Sequence, residues 1–163
     1  TIDNEGTLTY FYRWDDGACS SPSAKSLSDN IAMLLKENPK LEKILLIGHS
    51  YGGVLISSFA ENWSQSLPIE VHTVAAPLAG IKVLNTKCHY QPPTFIAENV
   101  TFFEWRTQKK LDGMFNNLES NPQIIDLKGS KVTLLPDTYK GRRLGHNWSI
   151  SFVADELQQK KLK

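Results

Sequence analysis

Short apolar runs alternate along the chain with longer segments in which apolar residues recur at helical spacing. Residues 44–47 (ILLI) are continuously aliphatic, which is typical of a parallel strand covered on both faces, whereas residues 52–63 are long enough for a helix. The whole chain, read in this way, predicts strands at about 7–14, 43–47, 70–75, 99–106 and 131–135, and helices at 24–37, 52–63, 113–118 and 148–160. This alternation predicts an α/β fold in which a mostly parallel sheet carries helices on both faces.

Ser50 occupies the turn between the aliphatic strand and the helix that follows it. A reversal this sharp brings two backbones together, so we expect small residues around it, and Gly48 and Gly52 stand two positions before and after the serine. A serine at such a turn either caps the helix or presents its hydroxyl as a nucleophile. The two glycines and the preceding strand favour the nucleophile.

The segment Gly48-His49-Ser50-Tyr51-Gly52 resembles the nucleophile elbow, G-x-S-x-G, of the α/β-hydrolase family. The resemblance extends over about residues 7–160 and implies a lipase- or esterase-like enzyme that needs no cofactor. It implies that Ser50 is the nucleophile and that the backbone N–H of Tyr51 stabilises the oxyanion. It also implies that an acid and then a histidine follow the serine along the chain.

A serine nucleophile needs a base within hydrogen-bond reach and a carboxylate that orients this base. His146 comes after the strand-like run 132–135 and just before the last predicted helix, which is the place of the family's histidine. The resemblance therefore identifies His146 as the base. The other histidines, His49, His72 and His89, are expected to have no catalytic part.

The family places its acid after the penultimate strand, and Asp112 is the first aspartate beyond the predicted strand at 99–106. Asp112 is therefore our candidate for the acid. Asp126 and Asp137 also lie between the serine and His146, and they stay open as alternatives. Asp126 belongs to a short apolar run, and Asp137 follows Pro136, where a turn is the simpler explanation.

The amino-terminal part departs from the family pattern. One predicted strand precedes the first helix, whereas the family has several strands there and a loop that supplies a second oxyanion donor. We therefore expect an α/β-hydrolase-like fold that is reduced or truncated at its N-terminus, formed by residues 1–163 as a single domain. Residues 78–98 are expected to be irregular and to form either a short lid over an acyl pocket or a connecting loop.

Composition and charge exclude some classes of partner but do not identify a substrate. A net charge of +1 argues against a nucleic-acid partner, and no apolar run approaches the ~18 residues of a membrane-spanning helix. Cys19 and Cys88 permit one disulfide or two free thiols, and the cysteines and histidines lack the spacing of a metal site. A second copy of the chain or a missing N-terminal segment remains as a protein partner.

The sequence thus predicts a serine hydrolase that cleaves small-molecule or lipid carboxylic esters through an acyl-enzyme intermediate. An acyltransferase or a thioesterase would use the same residues and differ in its second substrate. A non-catalytic interaction domain on the same fold is the alternative outside enzymology, and the unusual amino-terminal part favours it.

Overall fold

Four short strands form the centre of the molecule in the computed structural model, which describes residues 8–161. They are β1 (Ile44–His49), β2 (Ile69–Val74), β3 (Val100–Arg106) and β4 (Lys131–Leu134), hydrogen-bonded in the order β1-β2-β3-β4. All three pairings are parallel. The predicted α/β fold with a parallel sheet is confirmed, and the carboxyl ends of all four strands therefore lie at one edge of the sheet.

Helices lie in two of the three connections between these parallel strands, and two further helices precede β1 and follow β4. They are α1 (Ser20–Glu37), α2 (Tyr51–Ser57), α3 (Phe59–Asn62), α4 (Lys82–Lys87) and α5 (Ser149–Lys161), together with a 3-10 turn at Lys109–Leu111. Two-residue strands β5 (Thr138–Tyr139) and β6 (Arg142–Arg143) form a small antiparallel hairpin before α5. Within residues 8–161, no helix is both long and apolar enough to cross a bilayer.

Each face of the sheet packs against its own helices. One hydrophobic cluster joins α1, α2 and α3 to side chains of β2 and β3, among them Val71 and Phe102. The second cluster joins α5 to the opposite face, where Val74 and Trp105 contact Val153. The alternation of side chains along β2 and β3 thus supplies both cores, which is why helices cover both faces as predicted.

The amino-terminal strand prediction is wrong over the part that the structure describes. Residues 8–14 form no strand, and residue 7 lies outside the described range. The aromatic side chains that suggested a strand contact helices instead: the Tyr12 hydroxyl donates to the Ser23 carbonyl, and Trp14 lies against Tyr51 at 4.8 Å between ring centroids. Side-chain packing has overridden the β propensity of this segment.

Two helix predictions also need correction. The predicted helix at 113–118 is a series of turns, because the Asp112 side chain accepts the Met114 N–H and so competes with helical bonding. The predicted helix at 52–63 is two helices, α2 and α3, separated at Ser58. Here the Ser57 and Ser58 hydroxyls bond back to carbonyls of the preceding turn, an arrangement that often bends helices.

A disulfide decides between the two alternatives for the cysteines. Cys19 at the start of α1 is bonded to Cys88 at the end of α4, across 69 positions of sequence. The bond ties the segment 78–98 to the helical layer, and this segment contains α4, so the expectation that it is irregular throughout is wrong. Further along the same segment, Thr94 donates its N–H and hydroxyl to Glu61 of α3. Whether this anchored segment acts as a lid stays a prediction.

Candidate active site

Ser50 lies in the turn between β1 and α2 in a backbone conformation that non-glycine residues rarely adopt. Its φ is 53° and its ψ is −122°. The turn is held on both sides, because the Ser50 N–H donates to the Val74 carbonyl while the Ser50 carbonyl accepts the N–H groups of Gly53 and Val54. The structure therefore maintains local strain at this serine, which is characteristic of functional positions.

The close approach expected around Ser50 involves a different pair of glycines from the pair that the sequence suggested. A Cβ at Gly48 would lie 2.4 Å from the Gly52 carbonyl oxygen, and a Cβ at Gly53 would lie 2.5 Å from the Cβ of Ala76. A Cβ at Gly52, by contrast, would meet nothing within 4 Å. The expectation is correct for Gly48 and wrong for Gly52, because the close contact involves the Gly52 backbone and not its Cα substituent.

His146 joins Ser50 to Asp112. Its Nε2 lies 2.9 Å from the Ser50 Oγ, and its Nδ1 lies 3.0 Å from the Asp112 Oδ2. Because an ionised carboxylate only accepts hydrogen bonds, Nδ1 carries the proton and Nε2 is left to accept the serine hydroxyl. Ser50 directly follows β1, Asp112 follows the 3-10 turn after β3, and His146 lies in the loop before α5.

Backbone contacts fix the loop that carries His146. A Cβ at Gly145 would lie 2.9 Å from the Leu111 carbonyl oxygen, so this glycine allows the loop to lie directly against the residues before Asp112. The His146 carbonyl contacts the His49 Nε2 at 2.8 Å and accepts the Ser149 hydroxyl. The position of His146 therefore depends on both the chain preceding Asp112 and the turn beside Ser50.

Asp112 is completely buried and remains a hydrogen-bond acceptor. Burial alone would raise the pKa of Asp112, but hydrogen bonds from His146, from the Thr107 hydroxyl and from the Met114 N–H outweigh it and hold this pKa below its ordinary value. The carboxylate therefore stays negative beside the imidazole over the neutral range. In this state it can orient His146 and stabilise a positive charge on the ring.

The alternative aspartates lie in other surroundings. Asp137 accepts a hydrogen bond from the Gln108 side chain and lies 3.9 Å from the Lys110 ammonium nitrogen. The Asp137 backbone carbonyl accepts the Leu144 N–H, so this residue joins the two loops that flank the site. Asp126 is exposed. Of the three candidates, Asp112 is the one that the structure places against His146.

Of the remaining histidines, His89 is exposed, whereas the other two are held by contacts with other residues. His72 is buried in β2, where it accepts the Trp105 indole N–H and stacks on Phe103, as a core histidine does. His49 contacts the His146 backbone, and burial lowers the pKa of His49, so its neutral form is favoured. No motif in the sequence indicates this contact, and His49 was expected only to have no catalytic part.

A groove lies beside the site rather than in it. It has a volume of about 420 Å³ and runs between α1, α2 and the segment after the disulfide, with Ser57, His89 and Tyr90 in its wall. Neither Ser50 nor His146 lines it. Among residues 8–161, no group of three or more histidine, cysteine or acidic side chains is placed to hold a metal ion.

The site is thus a continuous serine, histidine and aspartate hydrogen-bond chain at the carboxyl edge of a parallel sheet. No protein-family model matches the chain, and no curated protein is significantly similar to it. The geometry of these side chains is therefore the basis on which a function can be assigned.

Proposed function

We propose that this protein is a serine hydrolase that cleaves carboxylic esters through an acyl-enzyme intermediate. The observation that carries the proposal is the pair of hydrogen bonds, 2.9 Å and 3.0 Å long, that links Ser50 to His146 and His146 to Asp112. A serine hydroxyl is a weak nucleophile at neutral pH, and this arrangement is the one that activates it.

The reaction proceeds in two halves. In the first, the Ser50 Oγ attacks the acyl carbonyl carbon while His146 Nε2 takes the hydroxyl proton, and Asp112 stabilises the imidazolium that results. The proton then passes to the leaving alkoxide, which departs as an alcohol and leaves the acyl group on Ser50. In the second half, water loses a proton to Nε2 and attacks the acyl carbon. The bond between the acyl carbon and Ser50 Oγ then breaks as Nε2 returns the proton to Oγ, and the carboxylic acid departs.

The oxyanion of each tetrahedral intermediate needs hydrogen-bond donors. Tyr51 is the first residue of α2, and the first N–H groups of a helix have no partner within it. Its N–H is therefore our candidate for one donor. The parallel sheet, the strained turn at Ser50 and the chain order of serine, acid and histidine all support an α/β-hydrolase-like assignment.

The test is covalent labelling followed by turnover. Wild-type protein should react with a fluorophosphonate probe at Ser50 and hydrolyse a short p-nitrophenyl ester. Ser50→Ala should lose labelling and about 10⁶-fold in kcat, which is the scale of removing a serine nucleophile. Ser58→Ala is the matched control. The Ser58 hydroxyl donates to the Leu55 carbonyl in α2, so this variant should leave both signals unchanged.

The same experiment separates the alternatives. Labelled protein that turns over only when an alcohol or thiol acceptor is added is an acyltransferase, and preference for a thioester over the matched ester identifies a thioesterase. Folded wild-type protein that neither labels nor hydrolyses would refute the enzyme and favour a non-catalytic interaction domain.

A further inference from the structure

Two buried polar residues that the proposed reaction does not use lie directly behind Asp112. Thr107 is the first residue after β3 and is 0% exposed, and Gln123 is 1% exposed. Buried polar side chains remain in a fold when their hydrogen bonds are satisfied, so the partners of these two residues show what they hold in place.

Gln123 fixes the backbone of Thr107 from both sides. Its Oε1 accepts the Thr107 N–H at 2.9 Å, and its Nε2 donates to the Thr107 carbonyl at 3.0 Å. The amide is held in turn by Asn121, whose Oδ1 accepts both the Gln123 N–H and Nε2, each at 3.1 Å. The side chain of Gln123 therefore substitutes for a neighbouring strand beyond the end of β3.

The Thr107 hydroxyl has one proton and two acceptors within reach. The Asp112 Oδ2 lies 2.5 Å from Oγ1, whereas the Gln123 Oε1 lies 3.1 Å away and already accepts the Thr107 N–H. An ionised carboxylate is also the stronger acceptor, so the proton points to Asp112. The same Oδ2 accepts the Nδ1–H of His146, and the other oxygen accepts the Met114 N–H.

We propose that Thr107, held by Gln123, is a positioning residue that fixes the rotation of the Asp112 carboxylate so that Oδ2 faces His146. This inference rests on the proposed function, because the orientation of Asp112 affects catalysis only if His146 is the base of that reaction. Without the Thr107 hydroxyl, each carboxylate oxygen would keep a single donor, His146 on Oδ2 and Met114 on Oδ1. The hydroxyl adds a second donor to Oδ2 and so restrains the oxygen that faces His146. The hydroxyl also helps to keep the buried Asp112 ionised.

The decisive variant is Thr107→Val, which removes the hydroxyl and keeps the branched shape and the backbone contacts with Gln123. We expect kcat on the p-nitrophenyl ester to fall about 10- to 100-fold with KM unchanged, since a hydrogen bond to a charged group is worth one to two factors of ten. Thr107→Ser should restore activity to within a few-fold of wild type. Thr73→Val is the matched control, because the Thr73 hydroxyl is equally buried but donates to the Phe103 carbonyl.

Two NMR measurements report on the positioning without any turnover. The Asp112 carboxyl carbon should titrate at higher pH in Thr107→Val than in wild type, because a donor to the charged form has been removed. The downfield proton resonance of the His146 Nδ1–H should weaken or move in Thr107→Val and persist in Thr107→Ser and Thr73→Val. A purely structural role for Thr107 would change the unfolding midpoint and leave both signals in place.

The outcomes separate this inference from the proposed function. Protein that hydrolyses no ester but shows both NMR changes in Thr107→Val would refute the hydrolase and support the positioning of Asp112 by Thr107. Active protein in which Thr107→Val keeps wild-type kcat and an unshifted Asp112 titration would overturn the inference alone. If the valine variant does not fold, Thr107→Ala removes the hydroxyl without introducing a new methyl group, and the same readings decide.

Discussion

The turn around Ser50 gives the sharpest prediction, because two glycines four positions apart should respond to alanine in opposite ways. Gly48→Ala places a methyl group 2.4 Å from the Gly52 carbonyl oxygen and 2.8 Å from the Gly53 nitrogen. Both are backbone atoms, so no side-chain rotation relieves the clash. Gly52→Ala places its methyl group in open space, at a position where φ is not positive.

The magnitudes follow from these contacts. At Gly48 the methyl group is about 1 Å short of the 3.4 Å at which ordinary contact begins, so β1 and α2 must separate by that amount. Overpacking of this kind costs ~1–3 kcal/mol of unfolding free energy or more, which lowers Tm by roughly 2–4 °C per kcal/mol in a chain of this length. Gly52→Ala should instead raise the unfolding free energy by ~0.4–1 kcal/mol, because alanine restricts the unfolded chain.

Activity should distinguish the two variants even more clearly. A displacement of ~1 Å between β1 and α2 moves Ser50 out of hydrogen-bond range of His146, and a misplacement of that size costs ~10²-fold in rate. Thermal unfolding and fluorophosphonate labelling rates of both variants are the assay. The reasoning is refuted if Gly48→Ala keeps the wild-type Tm and labelling rate, or if Gly52→Ala is the more damaging change.

Three further predictions concern the acid, the disulfide and the histidine loop. Asp112→Asn should lower kcat by up to ~10⁴-fold, because the wrong imidazole tautomer of His146 is favoured. Asp126→Asn, at an exposed position, should keep wild-type kinetics, and the reverse ranking would contradict the choice of Asp112 as the acid. Replacing Cys19 and Cys88 by serine removes a link across 69 positions and should lower the free energy of unfolding, measured in urea, by up to ~4 kcal/mol. An unchanged urea midpoint after reduction of the wild type would show that the bond does not stabilise the fold. Gly145→Ala places a methyl group 2.9 Å from the Leu111 carbonyl oxygen, which should push the His146 loop away and lower the fluorophosphonate labelling rate. A wild-type labelling rate would show that the loop can adjust.

The sequence was sufficient where local pattern and chain order decide the outcome. Continuous aliphatic runs and alternating helical segments predicted β1 to β4 to within two residues at each end. A strand that is covered on both faces needs apolar residues throughout, so its pattern is visible in the sequence. The glycine-flanked serine indicated the sharp turn at Ser50, and its strained φ of 53° agrees with that expectation. The resemblance to the α/β-hydrolase family selected Asp112 and His146 by their places along the chain, and hydrogen bonds link Asp112 to His146 and His146 to Ser50.

Tertiary contacts decided what local pattern could not. The segment 8–14 has the composition of a strand, but its aromatic side chains contact helices. Composition alone cannot predict which element an aromatic ring packs against, because that depends on the tertiary structure. In the turn around Ser50, a side chain is sterically excluded at Gly53 but not at Gly52. The reason is that Ala76, which is distant along the chain, occupies the space where a Gly53 side chain would lie. Thr107 and Gln123 carry no motif, and 16 positions separate them. They became visible only when the fold placed them behind Asp112, because a hydrogen bond between distant residues depends on three-dimensional geometry and leaves no periodic signal in the sequence.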